Sequence, residues 1–218
     1  MSLSDASLRA ATLIEALPYL QKFRGQTFVI KYGGSAMESV EAVERLLRDV
    51  VFLEAVGVNP VLVHGGGKAI SARMREAGLT ARFVNGLRVT DADSIRIVEE
   101  VLDLEVNPRL VETMKLFGGH AIGFSGRDVL RAEKLPAVDD GKGGAEDIGF
   151  VGRVTGVEKA EIEKVLREEG VPVISPVARG ADGLTYNINA DEAAAAIAGA
   201  LRAAKLVFLS DVPGIMRD

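Results

Sequence analysis

Short apolar runs, glycine turns and amphipathic stretches alternate along this chain. Thr27-Phe28-Val29-Ile30 reads as a buried strand closed by Lys31, and Gly33-Gly34 form a turn that opens a helix near Ser35. The amphipathic pattern predicts that helix over residues 36–55, stopped by Gly57. Asn59-Pro60 predicts a turn, Val61 to His64 a second strand, and Gly65-Gly66-Gly67 the entry to a helix over residues 68–77. Before all of this, residues 8–23 carry Leu13, Leu17 and Leu20 on one helical stripe beside Ala10 and Ile14, with Pro18 predicted to kink the helix.

The second half continues in the same way. Residues 82–89 read as an irregular link, and Thr90 through Asp93 as a capping box for a helix over residues 91–105. Asn107-Pro108 should break it, with a second piece running to Phe117. Strands are predicted over residues 121–124, 150–157, 171–175 and 206–209, an exposed loop over 136–147, and helices over 158–169 and from Asp191 through the alanine-rich run. Asp182-Gly183 marks a turn. Strand and helix in alternation predict an α/β fold: a three-layer α/β/α sandwich around a mainly parallel central sheet.

Composition narrows the partners. The chain has 218 residues, 48% of them hydrophobic, with a formal net charge of −5 and scattered basic residues, so no nucleic-acid footprint is expected. It has no cysteine, which excludes disulfides and thiolate metal sites. No secretory leader is expected at the start, and Arg202 and Lys205 interrupt the apolar stretch over residues 193–209, so no membrane span is expected and a cytoplasmic protein is.

In a parallel sheet the carboxyl ends of the strands converge on one edge, where ligands bind. Five stretches fall at such ends or on nearby loops: residues 31–34, 64–67, 85–88, 187–191 and 210–214. A lysine ahead of two glycines suits an oxyanion, since glycine lets backbone N–H groups approach closely. The same stretch also fits a solvated strand-end lysine before an ordinary tight turn. Arg88 offers a fork for a carboxylate and Asn187 an amide for a polar group. Asp191 either orients lysines or a metal-bound nucleotide, or merely complements the dipole of a helix capped by Asn189 with Glu192 at N3. The standard Walker and dinucleotide patterns both fail here: Ala69 follows Gly67-Lys68, and Ile70 stands where a third glycine belongs. His64 reads as a packing or hydrogen-bonding residue at a strand end, not as a base.

Taken together, Lys31-Tyr32-Gly33-Gly34, Val63-His64-Gly65-Gly66-Gly67, Asn85-Gly86-Leu87-Arg88-Val89-Thr90, Asn187-Ile188-Asn189-Ala190-Asp191 and Leu209-Ser210-Asp211-Val212-Pro213-Gly214 resemble the N-acetylglutamate kinase branch of the amino acid kinase family. The resemblance runs from about Leu8 to the last residue. It implies transfer of the γ-phosphoryl group of ATP, with its Mg2+, to the side-chain carboxylate of N-acetyl-L-glutamate, in arginine biosynthesis. It implies Lys31 and Asp191 as catalytic residues, and Gly66, Gly67, Arg88 and Asn187 as holding the substrate. Gly33, Gly34, Ser210 and Asp211 would meet the nucleotide phosphates. It further implies three regions: a kinked helix over residues 1–25 for assembly and regulation, a substrate-binding lobe over 26–180, and the start of a nucleotide-binding lobe over 181–218. Members with such a leading helix form hexamers as trimers of dimers and are inhibited by L-arginine, with Tyr19 matching the helix tyrosine of the effector site. The family continues past the equivalent of Asp218 with a second catalytic lysine and much of the adenine pocket.

Overall fold

A computed structural model describes residues 3–34, 39–139, 141 and 143–209. Helix α1 (Leu3–Phe23) includes Pro18 and leads into β1 (Thr27–Tyr32). Then come α2 (Val40–Ala55), β2 (Asn59–His64) and α3 (Gly67–Glu76). A small hairpin, β3 (Phe83–Val84) and β4 (Leu87–Arg88), precedes α4 (Ala92–Glu100), a π-helical stretch (Val101–Val106) and α5 (Asn107–Leu116). The chain continues through β5 (Ala121–Phe124), α6 (Gly126–Val129), β6 (Leu130–Lys134), the hairpin β7 (Val138–Asp139) and β8 (Ala145–Glu146), and β9 (Gly152–Val157). It ends with α7 (Ala160–Arg167), β10 (Val171–Ile174), β11 (Val177–Gly180), β12 (Thr185–Asn187), α8 (Ala190–Ala200) and β13 (Lys205–Leu209).

Five strands form a parallel sheet in the order β13-β1-β2-β10-β5. Period-2 alternation divides its side chains between two cores. Ile30, Leu62 and Val173 pack with Leu47 of α2, Met74 of α3 and Leu110 and Met114 of α5 on one face. Val29, Val61, Val63 and Ile174 pack with Ile162 of α7 and Ala193, Ala194 and Ile197 of α8 on the other. This is the three-layer α/β/α arrangement the pattern predicts. A second, four-stranded sheet, β12-β11-β6-β9, contributes Leu130, Ala178 and Tyr186 to that other core.

Several local expectations change. Asn59 and Pro60 are the first residues of β2 and not a turn; Pro60 aligns with Phe28 at the strand start, where a missing N–H is tolerated. Helix α2 begins at Val40, capped by Ser39, whose hydroxyl accepts from the Ala42 N–H at 3.3 Å. Ser35, where the sequence places the helix start, lies outside the described residues. The cap of α4 is Asp91, which accepts from the Ser94 N–H at 2.8 Å, while Thr90 Oγ1 donates to the Arg88 carbonyl. Asn107-Pro108 does not break the helix: Pro108 falls in the first turn of α5, where its absent N–H has no helical partner to lose. Residues 83–88 form a hairpin, turned by Asn85 (φ 47°) and Gly86 (φ 78°), not an irregular link.

Candidate active site

The carboxyl ends of β1 and β2 lie side by side, with Tyr32 aligned to His64. The Gly65 N–H donates to the Tyr32 carbonyl at 2.6 Å, so the two glycine turns leave the sheet in contact. A Cβ on Gly65 would stand 3.3 Å from Gly33 Cα, and one on Gly33 would stand 3.3 Å from Lys31 Cε. Only glycine permits this approach without displacing the neighbouring backbone or the lysine.

Lys31 lies over the first turn. Its Nζ is 2.9 Å from Asp191 Oδ1, with the lysine side chain 16% exposed and the aspartate 55%. An ion pair with Lys31 and a place in the capped first turn of α8 are both present at Asp191. Asn189 caps α8, accepting from the N–H groups of Asp191 and Glu192, which leaves the Asp191 carboxylate available to Lys31. Glu192 does not complete a reciprocal box; its Oε1 accepts from the Val154 N–H of β9.

Beside this pair opens a cleft of about 170 Å³ lined by Gly66, Gly67, Phe83, Leu102, Arg88 and Asn187, among others. Hairpin β3–β4 carries Arg88 to its wall. Arg88 as a whole is 7% exposed; its guanidinium lies 4.7 Å from the Phe83 ring centroid and donates through Nη2 to the Gly67 carbonyl and Ser71 Oγ, both at 2.8 Å. Burial pulls its pKa below the ordinary arginine value. No carboxylate pairs with it among the described residues. Asn187 ends β12, is tied to Phe150 by its own N–H, and donates through Nδ2 to Thr90 Oγ1 at 3.2 Å. A half-buried amide and a buried guanidinium with no carboxylate partner line one cleft near a lysine, a set of groups that can take a carboxylate.

The structure thus gathers Lys31, Gly33 and Asp191 at one end and Gly66, Gly67, Arg88 and Asn187 around the cleft. Gly34 (φ 73°) follows in the first turn. Tyr19 lies on α1, 64% exposed, and does not line the cleft. Ser210 and Asp211 lie outside the described residues. Phe83, Ser71 and Leu102 support the site without having been singled out in the sequence, while Thr90, read there as a helix cap, instead accepts from Asn187; the Asn85-Gly86 pair was the signal for the hairpin that carries Phe83 and Arg88.

Comparison with known proteins adds the chemistry of relatives. Residues 26–218 match the amino acid kinase family. Over 211 residues the chain is 48% identical to a protein of Akkermansia muciniphila named acetylglutamate kinase, covering 96% of this chain and 71% of that protein. A protein of the same name from Sphingopyxis alaskensis is 48% identical over 218 residues, covering 97% of this chain and 72% of that protein. Among solved structures, N-acetylglutamate synthase from Neisseria gonorrhoeae, complexed with coenzyme A and N-acetyl-glutamate, superposes with a TM-score of 0.82 at 25% identity, covering 95% of this chain and 47% of that one.

Proposed function

This chain belongs to the amino acid kinase family, and from that premise we propose how its strand-end loops carry out phosphoryl transfer. It is an enzyme of the acetylglutamate kinase kind, phosphorylating N-acetyl-L-glutamate on its side-chain carboxylate in arginine biosynthesis. Arg88 and Asn187 take the substrate's α-carboxylate. The N–H groups of Gly66 and Gly67 face the side-chain end. ATP would bring the γ-phosphoryl group together with Mg2+, which would help neutralise the phosphate charge. Gly33 and Gly34 meet the phosphates, and Lys31, held by Asp191, stabilises the group in flight.

Transfer of this kind needs positioning and charge stabilisation and no protein nucleophile. The observation that carries the reading is Arg88: a buried cation with only neutral acceptors around it, on the wall of a cleft, calls for an anionic ligand. Residues 26–180 would form the substrate lobe and 181–218 the beginning of the nucleotide lobe, with Ser210 and Asp211 on the nucleotide side. Among the described residues no helix is long and apolar enough to cross a membrane, and a cytoplasmic enzyme is the reading that fits a biosynthetic role.

Helix α1 supports an assembly role. Leu13, Ile14 and Leu17 are exposed on it and only Leu20 of the stripe is half-buried, so most of its apolar stripe is not covered by its own domain. We take it as joining dimers into a hexamer, with Tyr19 beside a feedback site for L-arginine. Coupled ADP release with N-acetyl-L-glutamate, and with an acylated aminoadipate as competitor, tests the activity. Turnover with the aminoadipate alone would move the substrate assignment. Ligand binding without ADP release would instead make this a non-catalytic ligand-binding domain, a reading that the likeness to part of the synthase favours but the Lys31–Asp191 pair opposes.

A further inference from the structure

His64 is fully buried at the end of β2, and each of its ring nitrogens has one partner. Nδ1 lies 2.9 Å from the Gly65 carbonyl oxygen, and Nε2 lies 3.1 Å from Asn107 Nδ2. A carbonyl can only accept, so Nδ1 carries the proton. An amide nitrogen can only donate, so Nε2 is bare. Asn107 is oriented in the same way, because its Nδ2 also donates to the Val173 carbonyl of β10 at 2.9 Å. The tautomer is therefore set from both sides.

This chain of hydrogen bonds ends on one peptide group of the second glycine turn. The Gly65 N–H is fixed on the Tyr32 carbonyl, and the Gly65 carbonyl is fixed on His64. In a trans peptide the carbonyl and the following N–H point in opposite directions. With the Gly65 carbonyl turned to the buried imidazole, the Gly66 N–H turns away from it, and Gly66 itself lines the cleft. That N–H has no protein acceptor among the described residues. The π-helical stretch serves the same peptide. It places Leu102 against Gly66, so close that a Cβ there would stand 2.4 Å from Leu102 Cδ2, and it delivers Asn107 to His64 at its end.

We propose that His64 and Asn107 are a positioning pair for the kinase reaction, holding the Gly65–Gly66 peptide so that the Gly66 N–H faces the reacting carboxylate and phosphoryl oxygens. Neither residue touches substrate. Each acts through the direction of one backbone donor, which is worth most where charge develops on transfer. The inference rests on the acetylglutamate kinase reading.

Two measurements on the complete protein test it. Long-range proton–nitrogen correlation of the parent should show His64 protonated at Nδ1 and bare at Nε2 at neutral pH, the minor tautomer of imidazole in water; a proton on Nε2 overturns the proposal. In kinetics, His64→Leu removes the donor to Gly65 and should lower kcat about tenfold to a hundredfold, with the KM for nucleotide nearly unchanged. His64→Asn keeps a donor near the Nδ1 position and should restore most of that loss. Parent-like kcat in His64→Leu, or an equal loss in a folded His64→Asn, refutes the role. If His64→Leu does not fold, the tautomer and the His64→Asn comparison still decide. A parent that releases no ADP with N-acetyl-L-glutamate overturns the functional reading instead.

Discussion

Replacing Arg88 by methionine separates its binding role from its packing role. In the free protein the guanidinium is buried, with neutral acceptors in Gly67 and Ser71, a weak contact from Nη1 to Met74 Sδ at 3.4 Å, and the Phe83 face beside it. Its desolvation is offset only in part, so the charge contributes little to folding. Methionine keeps much of the volume and the apolar contact with Phe83 and Met74, and the melting temperature should move by no more than a few degrees. Binding should respond quite differently. A hydrogen bond to a charged group contributes about 1.5–3 kcal/mol, and the substrate carboxylate would lose both that and its counter-ion. Affinity for N-acetyl-L-glutamate should therefore fall by at least about 2 kcal/mol, roughly 30-fold in Kd, while ATP binding is spared. Calorimetric titration of each ligand, with a thermal melt as control, reads both quantities. A Kd for N-acetyl-L-glutamate close to the parent's, or a loss confined to ATP, would refute the assignment of Arg88 to the substrate.

Lys31→Ala should lower kcat by about two to three orders of magnitude with little change in N-acetyl-L-glutamate affinity, since it removes one preorganised donor at the transferring group; single-turnover kinetics check it. Gly66→Ala should destabilise the fold by about 1–3 kcal/mol, because its Cβ meets the buried Leu102 side chain, and Leu102→Ala in the same chain should recover part of that loss in a denaturant melt. Burial pushes the His64 imidazole down to about 4 from an ordinary 6.5, so below pH 6.5 the unfolded chain binds the extra proton first and stability falls as pH drops toward 4. Urea titrations across that window should show a loss on the order of 3 kcal/mol in the parent that is absent in His64→Asn. In the complete protein, deleting residues 1–24 should convert a hexamer to a dimer and weaken arginine inhibition, read by sedimentation and by inhibition curves; an unchanged oligomer would remove the assembly role.

The strands that form the site were legible because they are short apolar runs ending in glycine. Residues 27–31 and 61–64 need no tertiary information to be read as buried strands, and their glycine turns follow directly. Strand β6 was not legible. Its Arg131, Glu133 and Lys134 break the apolar pattern, and its partners β9 and β11 lie far along the chain. The π-helical stretch was hidden for a different reason. Its Val101, Leu102 and Val106 continue the spacing of an amphipathic helix, and one wider turn does not disturb a periodicity counted over three turns. Asn107 was then read as a breaker because of Pro108, when the amide is buried and used.

Asp191 shows what sequence grammar leaves undecided at a site of this kind. Capping rules account for an acidic residue in the first turn of α8, and the structure satisfies them through Asn189. They give no reason for Asp191 to face a lysine 160 positions earlier in the chain. That contact arises because α8 packs across β1, β2 and β13, bringing its N-terminus to the carboxyl end of β1. The pairing therefore depends on the order of strands in the sheet, which crossover connections set and local pattern does not reveal. The same holds for Arg88 and Asn187, which are 99 residues apart and meet through Thr90 at one wall. Local chemistry nominated each residue singly; only the sheet's order makes a cation, an amide and a lysine–carboxylate pair into one place for an acidic substrate.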